Sequence, residues 1–460
     1  MTPRPRQITL SEWDERYAAL RAAGLVEPAY GGPLSRHLAD GDRRLMCLRF
    51  DDSAAALRLW NFLLTEEDRL FAAQREGKTI IGTMKDLGTV PVMAYALPDT
   101  VAFYPDGAWW QPCVMELTDG LLARADAMGI DESFCPVRAM LGAFESGEHF
   151  PRPDLLTCSV GATCDDFSAI AQRLSAMGYP ILWWEIPPRR PCDPGEPAVK
   201  LPGGRRAPRS QVEFVAEQLK YLAWAIRLQS KKRLTSERLA ASIRQANRVR
   251  GLLGELRQEA YRAPAAPLGA LEMLVAEMLA IHYCSDRDET LAVLQDLLAE
   301  VRRRVAAGVG VLDASAARVF WVNPVADLRA MNLLEECGGR VCGTDYMFGH
   351  ALAKIPEKLP PLEALARTAL ADPMVGPAAQ RAEAIVQDMA AVGAQAAVVS
   401  RIPGASHCAT EGAVIAEEIR ERLGVPVVEI EVAPVSDALL PSLRTRLSAL
   451  VEQVKEQCGR

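Results

Sequence analysis

The chain has 460 residues, 49% of them hydrophobic and 24% charged, with a net charge of −7 at pH 7. At roughly 100–200 residues per domain this is an ordinary globular protein of two or three domains, and its negative balance excludes a large nucleic-acid surface. No apolar run reaches the roughly 18 residues that a membrane span needs, and the start, MTPRPRQITLSEWDERYAAL, has no secretory apolar segment, so no membrane partner and a cytoplasmic location are expected.

In chain order, the first 75 residues read as helices, LSEWDERYAALRAAG and SAAALRLWNFLLTEEDRLFAAQREG. KTIIGTM is a strand by its β-branched run, and VPVMAYAL and TVAFYP are two further strand candidates. Helices are expected in CVMELTDGLLARADAMG and in IDESFCPVRAMLGAFESG, where the Cys135-Pro136 pair fits a helix start because proline is tolerated in a first turn. DLLTCSV is a buried strand, GAT a loop, and Cys164 opens the helix CDDFSAIAQRLSAMG, whose acidic first turn suits the helix dipole. Gly178 ends that helix and YPILWWEI is the next strand, which makes a parallel β-α-β unit.

Residues 188–208, rich in Pro, Gly and Arg, read as a long connection, and everything from 209 to about 307 reads as helix. Within it, SKKRLTSERLAASIRQANRVRGLLGELRQEAYR is a charged helix pair that offers either a solvated or subunit-facing surface or a docking surface for anionic substrate tails. Then come a strand (ARVFWVN), a helix (ADLRAMNLLEECG), a strand candidate (RVCGTDY), helices at 361–371 and 377–392, and a strand (QAAVVS). A helix from Cys408 to Gly424, a strand (VPVVEIEV) and a final amphipathic helix interrupted by one proline complete the chain. The expected organisation is a helical N-terminal extension (1–75), a first α/β domain (76–208), a helical region (209–310) and a second α/β domain (311–460). The fold class is α/β, with two Rossmann-like parallel-sheet domains.

Eleven cysteines, an odd number in a reducing compartment, argue against a disulfide framework. Zinc spacings, a c-type haem motif, a Walker-A loop and G-x-G-x-x-G are all absent. Cys337 and Cys342, spaced C-x4-C, read as packing cysteines around a turn. The two β-α-β units, LLTCSV-GATC-DDFSAIAQRLSAMGY-PILWWEI and AAVVSRIPGASHC-ATEGAVIAEEIRERLGV-PVVEIEV, repeat one plan: buried strand, small-residue loop, cysteine, crossover helix, strand. Ligands of open α/β sheets bind at the carboxyl ends of the strands, so Cys164 and Cys408 are expected at one cleft. At a helix N-terminus the dipole should stabilise a thiolate and lower its pKa. The small neighbours Gly161, Ala162, Gly404 and Ala405 would let backbone N–H groups approach cluster sulfur. Two cysteines are too few for a cubane, and Cys135 is the natural third; Cys158 reads as core.

The segments ESFCPVRAMLGAF, VGATCDDFSAIAQRLSAMGYPILWWEIP and SRIPGASHCATEGAVIAEEIRERLGVPVVEIEV resemble, in order, the three cysteine motifs of the subunits of 2-hydroxyacyl-CoA dehydratases and benzoyl-CoA reductases. The resemblance runs from about residue 76 to the C-terminus. It implies an iron–sulfur cluster, [4Fe–4S] or a double cubane [8Fe–9S], ligated by Cys135, Cys164 and Cys408. It also implies an acyl-CoA substrate, a paralogous partner subunit or a homodimer, and a separate ATP-dependent iron–sulfur activator. The activator would deliver the one electron that makes a ketyl radical of the thioester. Ser406 and His407 lie just before the third cysteine, and His407 would either hydrogen-bond cluster sulfide or relay a proton, or serve only as a capping or surface residue. The chain departs from the family at Val92 and Met93, where acids are expected: either the correspondence slips there or the chain lacks that carboxylate, and the lack would fit a non-catalytic scaffold subunit or a different reduction. The basic pairs Arg189–Arg190 and Arg205–Arg206 are candidates for the CoA tail.

Overall fold

The structure, a computed structural model, describes residues 4–39, 41–86, 88–107, 118–161, 164–281, 285–433, 437–457 and 459, with the backbone alone at 118–119 and 407–409. The N-terminal region is helical but not wholly so. Strand β1 (Gln7–Ile8) pairs antiparallel with β2 (Phe50–Asp51). Between them α1 (Leu10–Ala22) starts at Thr9, whose hydroxyl accepts the Glu12 N–H while the Glu12 carboxylate accepts the Thr9 N–H, a reciprocal cap for two otherwise unpaired donors. Helices α2 (Ala54–Leu64) and α3 (Glu66–Arg75) follow.

The first α/β unit comprises β3 (Thr79–Met84), α4 (Val90–Ala94), β4 (Thr100–Phe103), α5 (Thr118–Ala127), α6 (Ala139–Ser146), β5 (Leu155–Gly161), α7 (Asp165–Ala176) and β6 (Ile181–Ile186). Its four strands are parallel in the order β4-β3-β5-β6. VPVMAYAL, expected as a strand, is instead the short helix α4 and its continuation. The Asp86 carboxylate accepts the N–H groups of Thr89 (3.0 Å) and Val90 (2.6 Å), and Pro91 lies in the first turn. These helix-start signals override a run of apolar residues that is buried on all sides. The connection at 188–208 also holds structure that its composition hides, the hairpin of β7 (Ala198–Lys200) and β8 (Arg206–Pro208).

Four helices come next: α8 (Arg209–Ser230), α9 (Ser236–Arg262), α10 (Ala270–Met278) and α11 (Arg287–Ala307). The second α/β unit comprises β9 (Ala317–Val322), α12 (Arg329–Glu336), β10 (Gly339–Asp345), α13 (Pro361–Ala371), α14 (Ala378–Val392), β11 (Ala396–Arg401), α15 (Ser406–Leu423), β12 (Val427–Glu431) and α16 (Leu440–Gln457). Its parallel order is β10-β9-β11-β12. Both sheets therefore run second-first-third-fourth in their own strand order, the doubly wound arrangement expected of two Rossmann-like domains. In each, the direction of winding reverses between the first and third strands, and the carboxyl ends of those two strands border the crevice.

Among the described residues no helix is long and apolar enough to cross a membrane.

Candidate functional site

The two crevices are built alike. The residue after the first strand is left-handed in both, Lys85 (φ 62) after β3 and Asn323 (φ 69) after β9. A serine of the third strand holds that turn. Ser159 Oγ donates to the Lys85 carbonyl at 2.6 Å, and Ser400 Oγ lies 3.1, 3.3 and 2.9 Å from the carbonyls of Val322, Asn323 and Pro324. The third strand then leads into a crossover helix, α7 or α15, that starts in the crevice. Sequence reading found the repeated cysteines but not this repeated serine latch, although the serine stands near the same strand end in LLTCSV and AAVVSR.

Cys164 is the N-cap residue of α7 and is 8% exposed. β5 reaches it through Gly161 (φ 106), where a Cβ would sit 2.2 Å from the Ile186 carbonyl of the neighbouring strand; only glycine fits. The Cys164 Sγ–H donates to Asp166 Oδ2 at 3.3 Å, and the same oxygen accepts the Ser406 N–H (3.0 Å) and Oγ–H (3.1 Å). Ser406 Oγ is 3.8 Å from Cys164 Sγ. One carboxylate oxygen thus joins the start of α7 in the first domain to the start of α15 in the second.

Cys135, 9% exposed, caps the short 3-10 turn Pro136–Arg138 that leads into α6. The loop before α15 lies directly on it: a Cβ at Gly404 (φ 76) would meet the Phe134 carbonyl carbon and oxygen at 2.6 Å and the Cys135 nitrogen at 2.9 Å. α15 begins at Ser406, two residues earlier than expected, so His407 and Cys408 lie in its first turn; their side chains, like residues Ala162 and Thr163, lie outside the described residues. Segments carrying all three cysteines thus meet at one junction. Among the described residues no three His, Cys, Asp or Glu side chains are placed to hold a metal.

The expectation of a lowered thiol pKa is not met by the chain alone. Burial, and next the Asp166 carboxylate, push the Cys164 thiol up to about 12. A buried thiol beside a carboxylate outweighs the helix dipole, whose influence is about half a charge. Only a bound cation reverses that order, because a coordinated thiol is deprotonated outright. Cys158 is fully buried in β5 and burial pushes it up to about 12 as well, in keeping with a core role. The cation facing Cys158 and Cys164 is Lys85, 7% exposed, which donates to Ser168 Oγ at 3.2 Å and whose pKa burial holds below the usual lysine value.

A second polar cluster escaped sequence reading. Arg381 on α14 donates to Glu411 (2.7 Å), to Asn323 Oδ1 (2.7 Å) and to Asp345 (Nε, 3.0 Å). His350 bridges Asp345 (3.0 Å) and Asp372 (3.1 Å). Glu411 lies three residues beyond Cys408, so this cluster braces the first turns of α15 from behind. Val92 and Met93 are buried core residues of α4; the carboxylate of that region is Asp86, which caps the helix and is held above the usual carboxylate range by burial. Of the basic pairs, Arg189 is consumed by the Asp372 carbonyl and Gln380 (3.0 and 3.1 Å) and Arg190 by Glu196 (2.6 Å). Cys342 is buried in β10 and Cys337 closes α12, as packing residues do.

A family model described as 2-hydroxyglutaryl-CoA dehydratase, D-component, matches residues 95–454. No curated protein matches the chain.

Proposed function

The chain belongs to the 2-hydroxyglutaryl-CoA dehydratase D-component family and is a subunit of a 2-hydroxyacyl-CoA dehydratase-like enzyme; from that premise we propose that Cys135, Cys164 and Cys408 hold an iron–sulfur cluster at the junction of its two α/β domains. The observation that carries the reading is the meeting of the three cysteine segments, joined by Asp166 and Ser406 and by the contact of Gly404 with Cys135. The donor set fits the group: cysteine thiolates are the usual ligands of such clusters, and here two thiols with almost no water access sit where the backbone of a third arrives. When bound, the cluster would supply a low-potential electron to an acyl-CoA thioester, received in turn from a separate ATP-dependent iron–sulfur activator.

The chain's own residues do the positioning. Asp166 fixes Ser406 through two hydrogen bonds and so sets where the first turn of α15 begins. Lys85 supplies a buried positive charge on the thiol side, which favours bound anionic sulfur. The Arg381 cluster holds Glu411 and with it the next turn of α15. His407, in that first turn, is the residue we assign to proton relay, with Ser406 beside it. The partner is a paralogous subunit or a second copy of this chain.

A second reading follows from Val92 and Met93. With apolar core where the resemblance leads one to expect acids, the chain would reduce a substrate on a double-cubane cluster or serve as a scaffold. Iron and acid-labile sulfide on anaerobically purified protein decide between them, with EPR after dithionite reduction, for the wild type and Cys164→Ser and Cys408→Ser. About four irons per chain, lost in both variants, is the expected result for a cubane. About eight moves the double-cubane reductase to first place, and none after anaerobic reconstitution leaves the scaffold.

A further inference from the structure

Arg250, on α9, is 4% exposed and forms no ion pair with the described residues. Its one hydrogen bond among them runs from Nη1 to the Ala353 carbonyl, at 2.6 Å. The Nε–Nη2 edge, whose two N–H groups point the same way, is left without an acceptor there. A buried charge is normally paired, because desolvation alone is so costly. Burial pulls this guanidinium down to about 10, and the charge of Arg287 adds to the fall. Asp86 acts on it from the same region, but the Asp86 oxygens accept the N–H groups of Thr89 (3.0 Å) and Val90 (2.6 Å).

Arg250 lines a cavity of about 30 Å³ together with Gly88, Val92, Tyr95, Tyr104 and Arg287. Gly88 belongs to the turn after β3 and Tyr104 directly follows β4, so the cavity lies at the carboxyl ends of strands, where α/β sheets bind ligands. Arg287 donates to Ser242 Oγ at 3.1 Å and stands 5.0 Å from the centroid of the Tyr95 ring, a second cation beside the same space. Gly88 keeps the free edge of Arg250 clear. A Cβ there would sit 2.9 Å from Nη2, and the residue is left-handed at φ 86. Its N–H donates to the Tyr104 hydroxyl at 2.8 Å, which fixes the turn against the guanidinium. The shape names the ligand's chemistry. A water needs about 10–15 Å³ of such space, so the cavity admits two oxygen-sized groups and no tetrahedral phosphate. Two parallel N–H groups on a planar fork match the two oxygens of one carboxylate.

We propose that Arg250 anchors a carboxylate-binding site, filled either by a small organic acid or by the carboxylate end of an acyl chain carried as a thioester. The site stands without the cluster reading; only the thioester source rests on the acyl-CoA chemistry proposed above. Calorimetric titration of the full chain is the test. One arm compares butyrate with its neutral isostere butyramide. The other compares adipoyl-CoA with hexanoyl-CoA, whose chains differ only at the far end. Butyrate binding while butyramide does not identifies a free acid, and adipoyl-CoA binding at least tenfold tighter than hexanoyl-CoA identifies the acyl end; one or the other is the expected result. The preference should vanish in Arg250→Met and weaken about tenfold in Arg250→Lys, which keeps the charge and loses the fork. Gly88→Ala, which crowds Nη2, should weaken it too. The Tm of Arg250→Met should stay at or above that of the wild type, because an unpaired buried charge is removed; a fall marks a packing role and counts against the site. Equal affinity for charged and neutral probes in both arms, or a preference that survives Arg250→Met, overturns the proposal. A chain that proves to hold no iron leaves these titrations as they are, so the two readings fail separately.

Discussion

At the scale of single residues, the junction depends on two positions that chemistry makes hard to replace. Asp166 Oδ2 accepts three donors, two of them from a residue 240 positions away. In the sequence it is an acidic residue in the first turn of a helix, and only its dipole role can be read there. The bridging role needs the other domain in place. Asp166→Ala removes the carboxylate that the half-buried Ser406 N–H and hydroxyl donate to, and a loss of about 1–3 kcal/mol is expected in urea unfolding. Gly404 was legible in part, as one of the small residues expected to permit close approach. Its φ of 76 and the 2.6 Å that a Cβ would have to the Phe134 carbonyl make Gly404→Ala costly on both counts. We expect about 2 kcal/mol or more, with the Cys135 segment displaced; a Gly404→Ala protein with unchanged stability would show that the loop yields.

At the scale of elements, the parallel strands and crossover helices were readable because buried β-branched runs and capped amphipathic runs alternate in the chain. α4 was misread because eight apolar residues carry no periodicity, and a buried helix and a buried strand then look the same. The cue that separates them is Asp86 with Pro91, a cap and a first-turn proline. The bracing of α15 was illegible for a different reason: Asp345, His350, Asp372, Arg381 and Glu411 come from five separate segments. Burial alone would lower the pKa of His350, but the Asp345 carboxylate and then Asp372 raise it to about 9. A histidine raised in the folded state stabilises fully below its ordinary value of about 6.5, and that contribution fades as pH rises through 9. Thermal unfolding from pH 6.5 to 9.5 should therefore show a falling Tm in the wild type. His350→Asn should start lower at pH 6.5 and lose less across the same range. Parallel curves for the two proteins would remove His350 from the account.

At the scale of the molecule, the first 75 residues are a strut, where composition suggested an appended helical extension. Strand β2 carries Asp51, fully buried, whose carboxylate pairs with Arg304 of α11. The Asp51 N–H donates to Glu272 of α10 at 3.0 Å, Gln7 donates to Glu335 of α12 at 2.6 Å, and Asn332 exchanges hydrogen bonds with the Arg49 backbone. The N-terminal region thus ties the helical region to the second α/β domain, and none of this was legible because every partner lies more than 200 residues away. Asp51, Glu272 and Glu335 cluster here, and the guanidinium that meets Asp51, Arg304, also pairs with Glu300 and Asp52. Burial first, and the Asp51 charge second, push Glu272 up to about 8, and burial raises Glu335 to about 7. Arg304→Met leaves Asp51 buried without its cation, and breaking a buried pair in this way costs about 3–5 kcal/mol. Both glutamates are raised in the folded state, so their stabilising protonation is complete below about 4.5 and is lost as pH climbs through 7 and 8. The penalty of Arg304→Met should therefore be largest near pH 8, where the negative charge around Asp51 is greatest, and smaller near pH 5.5. Urea unfolding of both proteins at those two pH values reads the difference directly, and an equal penalty at both would mean that the glutamates do not share the charge of Asp51.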